Sequence, residues 1–115
     1  MKRDIISTCP CCDKVMDIEP MQVRGKLIKA RFPNVVFTSG YRCDRHNKEV
    51  GGASNSSHLR GIALDIRCMT SVERFHVVKF LLFDLGAPRL FLYKSKNLIH
   101  VDFDLSLPYP RLGIL

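Results

Sequence analysis

No stretch of this chain is apolar and long enough to cross a membrane, so no membrane insertion is expected. Met1-Lys2-Arg3-Asp4-Ile5-Ile6-Ser7 has basic residues but lacks the apolar run of a signal peptide, which places synthesis in the cytoplasm. The five cysteines are an odd number without an export signal, which argues against a disulfide framework and for reduced thiols. Cys9 and Cys12 stand in a C-x-x-C relation, but no second C-x-x-C follows. A structural zinc at Cys9, Cys11 and Cys12 is therefore disfavoured against a cysteine-rich turn packed on the core. Also missing is the H-E-x-x-H helix signature of many zinc peptidases. Acidic residues are scarce, 11 against 18 Lys and Arg, giving a net charge of +7. That balance suits an acidic partner, either nucleic acid, anionic lipid or a polyanionic wall polymer. The basic residues form neither a dense run nor an aromatic-interleaved stripe, so nucleic acid has little local support.

What is present is enough for one modest core. At 115 residues and 46% hydrophobic, the chain reads as a single domain, 1–115, and a monomer is expected. A cysteine-rich segment covers 1–18 and an irregular tail, holding Pro108 and Pro110, covers 105–115. Between them, Met21, Val23, Leu27, Ile28 and Ala30 follow a helical period from Pro20 to Phe32, with Arg24 and its basic neighbours outward. Residues 35–38 read as a short, largely buried strand. Asp44 is the expected N-cap of a short helix through Glu49, stopped by Gly51-Gly52. Gly61 turns the chain into a strand over 62–66. Thr70-Ser71-Val72-Glu73 is a capping box for a helix reaching Leu85, stopped by Gly86. Its core stripe is expected at Val72, Phe75, Val78, Leu82 and Leu85. Residues 89–93 and 98–103 read as two strands joined by 94–97. The fold class implied is α+β: a small, mainly antiparallel sheet bearing the site and covered by two main helices.

The chemistry-bearing residues are His58, Asp65 and His100. Asp65 sits in an otherwise apolar strand, where an unpaired charge is expensive, so it needs a cation or a full set of donors. In the strand 98–103, Leu98, His100 and Asp102 share one face, while Ile99, Val101 and Phe103 share the other. Two imidazoles and a carboxylate suit a catalytic zinc, which keeps its fourth position for water. The same residue types also occur together in proteins that hold no metal. His46 reads as a packing or local capping residue, His76 as a helix-surface residue, and Cys43 and Cys68 as small buried hydrophobes, with pairing left open.

The ordered pieces Ser39-Gly40-Tyr41-Arg42, His46-Asn47-Lys48-Glu49-Val50-Gly51-Gly52-Ala53, Ser56-x-His58-x-x-Gly61-x-Ala63-x-Asp65 and His100-Val101-Asp102 span most of the chain. Together they closely resemble the zinc D-alanyl-D-alanine carboxypeptidase family, cell-wall peptidases of bacteria and phages. The resemblance implies His58, Asp65 and His100 as ligands of one catalytic Zn2+. It implies Arg42 as a catalytic and substrate-binding cation near the substrate carboxylate or the polarised carbonyl, and Ser56 as a substrate-side residue supporting the first histidine. Relatives place Glu or Asp three residues before the last histidine, where this chain has Asn97. Asp102 thereby becomes the leading candidate for general base, or equally for partner to a metal-binding histidine, with Asp104 behind it. The implied activity is hydrolysis of peptide bonds involving D-amino acids in peptidoglycan stem peptides, as a D,D-carboxypeptidase or an endopeptidase of endolysin type. Such an enzyme acts on the wall after release from the cytoplasm or as part of a phage particle. The rivals are a module of the same fold that binds metal or wall without turnover, and a basic nucleic-acid binder.

Overall fold

The structure, a computed structural model, describes residues 4–115; the opening Met1-Lys2-Arg3 of the N-terminal reading lies outside the described residues. Its frame is a five-stranded sheet formed by β1 (Val36–Ser39), β2 (Ala63–Arg67), β3 (Arg89–Leu92), β4 (Leu98–Asp102) and β5 (Arg111–Ile114). The order across the sheet is β1-β2-β4-β3-β5, antiparallel throughout except for the parallel pair β3 and β5. One face is apolar: Leu64 and Ile66 of β2, Leu90 of β3, and Ile99 and Val101 of β4 are fully buried. Against them pack Met21 and Ile28 of α1 (Glu19–Arg31), and Val77 and Leu81 of the second long helix. Fully burying such a side chain contributes about 1.5 to 3 kcal/mol, and this layer supplies most of the core.

The helix α1 starts with Pro in its first turn and ends at Phe32, just before Pro33. Its buried stripe is narrower than the sequence suggests: Met21, Gly25 and Ile28 face inward, while Val23 and Leu27 are exposed. Arg24, expected outward, lays its guanidinium 3.8 Å over the Phe103 ring. Gly25 is glycine because a Cβ there would collide with the Ile6 side chain.

The capping box of α3 (Ser71–Lys79) forms as expected: Thr70 Oγ1 accepts from the Glu73 N–H at 3.0 Å, and Glu73 reaches back to the Met69 N–H at 2.8 Å. The stripe, however, differs. Val72 and Phe75 are 66% and 65% exposed, and Val77 and Leu81 hold the core positions instead. Phe75 lies two residues, or about 200°, from Val77, and so faces solvent. The helix then widens into a π-helical turn over Phe80–Asp84, whose added residue shifts the phase of everything after it. Val78, Leu82 and Leu85 remain packed beside the core, and Gly86 closes the helix at φ 64°.

Three other expectations change. Residues 105–115 are not irregular throughout, because Arg111–Ile114 form β5, anchored by Arg111 N–H to Pro88 O at 2.9 Å and Leu115 N–H to Leu92 O at 2.7 Å. The two prolines precede this strand and leave its own donors intact. The short helix α2 (Asp44–Glu49) is capped by Cys43 rather than Asp44, the Cys43 sulfur accepting from the His46 N–H. Finally, β1 is an edge strand with Val36 exposed, and Val35 just before it is the buried residue.

Candidate active site

Opposite the helices, the second face of the sheet carries the chemistry. Register places Asp65 of β2 directly across from His100 of β4, and Phe91 of β3 across from the same histidine. The next row holds Asp102 of β4 across from Arg89 of β3. Because side chains alternate along a strand, Asp65, His100, Asp102, Arg89 and Phe91 emerge on one face while their neighbours fill the core. Gly113 of β5 completes the first row, where a Cβ would press 2.8 Å from the Phe91 ring.

His58 reaches this face from a single 3-10 turn, Ser57–Arg60. Ser56 caps the turn, its Oγ accepting from the His58 N–H at 3.3 Å, and Gly61 ends it at φ 72°. That left-handed corner is open to glycine, and a Cβ there would also strike Met16. The turn delivers the imidazole almost fully buried, at 1% exposure.

The donors of His58, Asp65 and His100 lie within 4.8 Å of one another, a spacing that could hold a metal ion. The outer partners fix which atoms face inward. His58 Nδ1 lies 2.6 Å from the Gly40 carbonyl, so it carries the proton and donates there, leaving Nε2 toward Asp65 at 3.2 Å. His100 is turned the other way: Nδ1 is 3.0 Å from Asp65, and Nε2 is 2.8 Å from Asp102. Each imidazole thus has one nitrogen for a metal and the other tied to an oxygen acceptor, as metal-binding histidines usually do. Burial would raise the Asp65 carboxyl, but hydrogen bonds and charge from His100 and His58 outweigh it and hold it well below the usual carboxylate range. Burial likewise disfavours charge on His100, yet Asp102 and Asp65 on either side push it up to about 9.

Asp102 is 1% exposed and sits behind His100, on the side of the ring away from Asp65. Arg89 closes on it at 3.0 Å, so its charge is matched from two sides. Asp104 is not in the groove. Ser57 donates to it at 2.8 Å, Ser106 donates through both N–H and Oγ, and Arg60 Nε donates at 2.9 Å.

Above the three donors opens a groove of about 580 Å³. Arg42 and Ser56 line it, together with Tyr93, Phe91 and Arg111. Burial lowers the Arg42 guanidinium against the pull of Asp65, and its Nε is buried with no hydrogen-bond partner among the described residues. Arg42 is therefore set to receive an oxygen acceptor. His76 is exposed on α3, as expected, and His46 is half-buried with its N–H serving Cys43.

Arg89 and the Gly40 carbonyl had no signal in the sequence. Arg89 is one of 18 basic residues, and only the β3–β4 register pairs it with Asp102. Cys43 is buried, as expected, and its sulfur joins a group with Cys9, Cys11 and Cys12. The cysteine cluster thereby gains the fourth thiol that the linear spacing lacks.

Comparison with known proteins gives one match. A family model described as Peptidase M15 covers residues 3–102, which includes His58, Asp65, His100, Arg42 and Asp102. No curated protein and no solved structure matches the chain.

Proposed function

The chain belongs to the Peptidase M15 family, and from that membership we propose that it is a zinc metallopeptidase cleaving peptide bonds that involve D-amino acids in peptidoglycan stem peptides. The observation that carries this reading is the meeting of His58 Nε2, Asp65 and His100 Nδ1 at the floor of an open groove, with both histidine tautomers set from behind. The donor set, two imidazoles that would bind in their neutral form, His100 giving up its extra proton as the metal binds, and a carboxylate, fits zinc in a site that keeps one position open. Bound there, zinc supplies Lewis acidity at the scissile carbonyl and acidifies a water toward a pKa of about 7.

The chain's own groups do the rest. Gly40 and Asp102 hold the inward lone pairs of the two histidines in place, so no ring has to reorient when substrate arrives. Arg42, whose Nε has no partner among the described residues, lines the groove and offers its guanidinium to the substrate carboxylate or to the carbonyl oxygen as charge develops there. Ser56 acts on the turn rather than as a nucleophile, since its Oγ accepts from the His58 backbone. Asp102 acts as a positioning residue: it lies beyond His100 from the metal side, and its charge is taken up by Arg89. The reading covers both D,D-carboxypeptidase and endopeptidase action.

The test is mass spectrometry of fragments released from purified peptidoglycan and from D-Ala-D-Ala peptides, with and without a chelator. Hydrolysis that stops with chelator, returns with zinc and is lost in His58→Ala is expected, with a fall in rate of at least about 1000-fold. Peptide release that ignores both chelator and His58→Ala would overturn the reading. A protein that binds zinc and wall without releasing fragments would identify a non-catalytic module.

A further inference from the structure

Beyond the groove, the geometry points to a second metal site: Cys9, Cys11, Cys12 and Cys43 form a four-thiolate centre for a structural zinc ion, which fastens the N-terminal segment to the strap bearing Arg42. Their four sulfurs lie within 4.8 Å of one another, with Cys9 to Cys11 at 3.5 Å and Cys11 to Cys43 at 3.4 Å. Four sulfurs at about 2.3 Å from a tetrahedral zinc stand about 3.8 Å apart, so the group needs only a small adjustment to close on an ion. No disulfide joins these cysteines, and the Cys9–Cys11 and Cys11–Cys43 separations are far longer than a disulfide bond of about 2.05 Å.

Two further observations set this group apart from thiols merely packed together. The first is its N–H donors. The Cys43 N–H donates to Cys9 Sγ at 3.4 Å, the His46 N–H to Cys43 Sγ at 3.4 Å, and the Arg45 guanidinium to Cys11 Sγ at 3.6 Å. Donors aimed at three of the four sulfurs are the outer hydrogen-bond partners that ligands of a metal site take. Cys68 provides the contrast: it is a single thiol packed in the main core.

The second observation is where the group sits. It forms its own small core with Tyr41 and Met16, separate from the sheet-and-helix core. Residues 8 and 15 pair across the loop that presents the first three cysteines, and Cys9 N–H donates to Lys14 O at 3.0 Å. The fourth comes from the strap 40–43, which touches both this segment and the groove. Tyr41 N–H donates to Ile6 O at 3.0 Å, and Arg42 N–H donates to His58 O at 3.1 Å. Gly40 lies so close to the N-terminal segment that a Cβ would fall 2.1 Å from Ile5 O. An ion at the cysteines therefore fixes the strap from outside, while its inner side carries Arg42 and the carbonyl that orients His58. On binding, the thiols release their protons to solvent and the ion replaces them as the shared centre.

Elemental analysis separates this site from the groove site. Wild type is expected to carry about two zinc ions per chain, and His58→Ala combined with His100→Ala about one. Cobalt reconstitution of that double variant is expected to give near-ultraviolet thiolate-to-cobalt charge-transfer bands and the visible bands of a tetrahedral ion. Cys43→Ser should weaken those bands and lower the melting temperature. If that variant fails to fold, the cobalt spectrum of the histidine double variant decides alone. A histidine double variant without stoichiometric metal, or one whose cobalt spectrum lacks thiolate bands, would overturn the proposal. Wild type with a single ion that survives the histidine changes would instead support the cysteine site and count against the groove site.

Discussion

At the scale of single residues, the groove turns on an aspartate that stands behind His100. Asp102 accepts from His100 Nε2 at 2.8 Å and is held from the other side by Arg89. Replacing it with asparagine keeps the shape and one acceptor, but removes the charge that makes the imidazole a stronger ligand and leaves Arg89 facing an amide. Asp102→Asn is expected to weaken zinc binding about 10- to 100-fold, as changes behind metal-binding histidines do. Arg89→Ala should act in the same direction and also cost about 3 kcal/mol of stability, because it strands a buried carboxylate. Competition against a chromogenic chelator measures the first effect and denaturant unfolding the second. Unchanged zinc affinity in Asp102→Asn would mean that Asp102 does not support the ligand. Much of this was legible in the sequence: His58, Asp65 and His100 fall in specific motifs, and strand alternation alone put Asp102 on the face of His100. Arg89 and Cys43 were not legible, because their partners are set by register and by a contact spanning 34 residues from Cys9.

At the scale of elements, the two histidine-bearing pieces are separate local structures that one carboxylate ties together. The 3-10 turn with His58 is one; β4 with His100 is the other. Asp104, just after β4, gathers Ser57 and Arg60 of the turn and Ser106 of its own loop. Burial would raise its carboxyl, but the hydrogen bonds from Ser106, Arg60 and Ser57 outweigh this and hold it well below the usual carboxylate range. Because the folded state depresses this pKa, the stabilisation is full above the unfolded value near 4 and is lost as pH falls below it. Asp104→Asn is therefore expected to cost about 2 kcal/mol at neutral pH, with the gap to wild type closing below about pH 4. Melting temperatures of both proteins across pH 3 to 8 check this, and a gap that stays constant down to about pH 3 would count against the network. Elements with strong local signals were the ones the sequence revealed, as with the capping box of α3 and the glycine corners at 61 and 86. The outward turn of Val72 and Phe75 and the strand β5 were hidden, the first because a π turn breaks the period, the second because β5 exists only by pairing with β3.

At the scale of the whole molecule, the net charge of +7 is spread over the chain, and the groove itself is rimmed by Arg42, Arg89 and Arg111. Among the described residues no helix is long and apolar enough to cross a membrane. A polyanionic wall polymer would raise the local concentration of such a protein by long-range attraction, whereas a short soluble stem peptide, carrying few charges, would feel only the groove. The two terms respond differently to salt. Raising ionic strength from about 0.1 M to about 1 M shortens the screening length from about 10 Å to about 3 Å, which removes steering but leaves partly buried contacts such as Arg42 largely intact. Hydrolysis of intact wall is therefore expected to fall roughly tenfold across that range, while the rate on a soluble peptide changes less than about twofold. Paired initial-rate measurements on the two substrates decide it. Equal losses on both would place the salt effect at the groove, and equal insensitivity would show that the overall charge does not serve wall attraction.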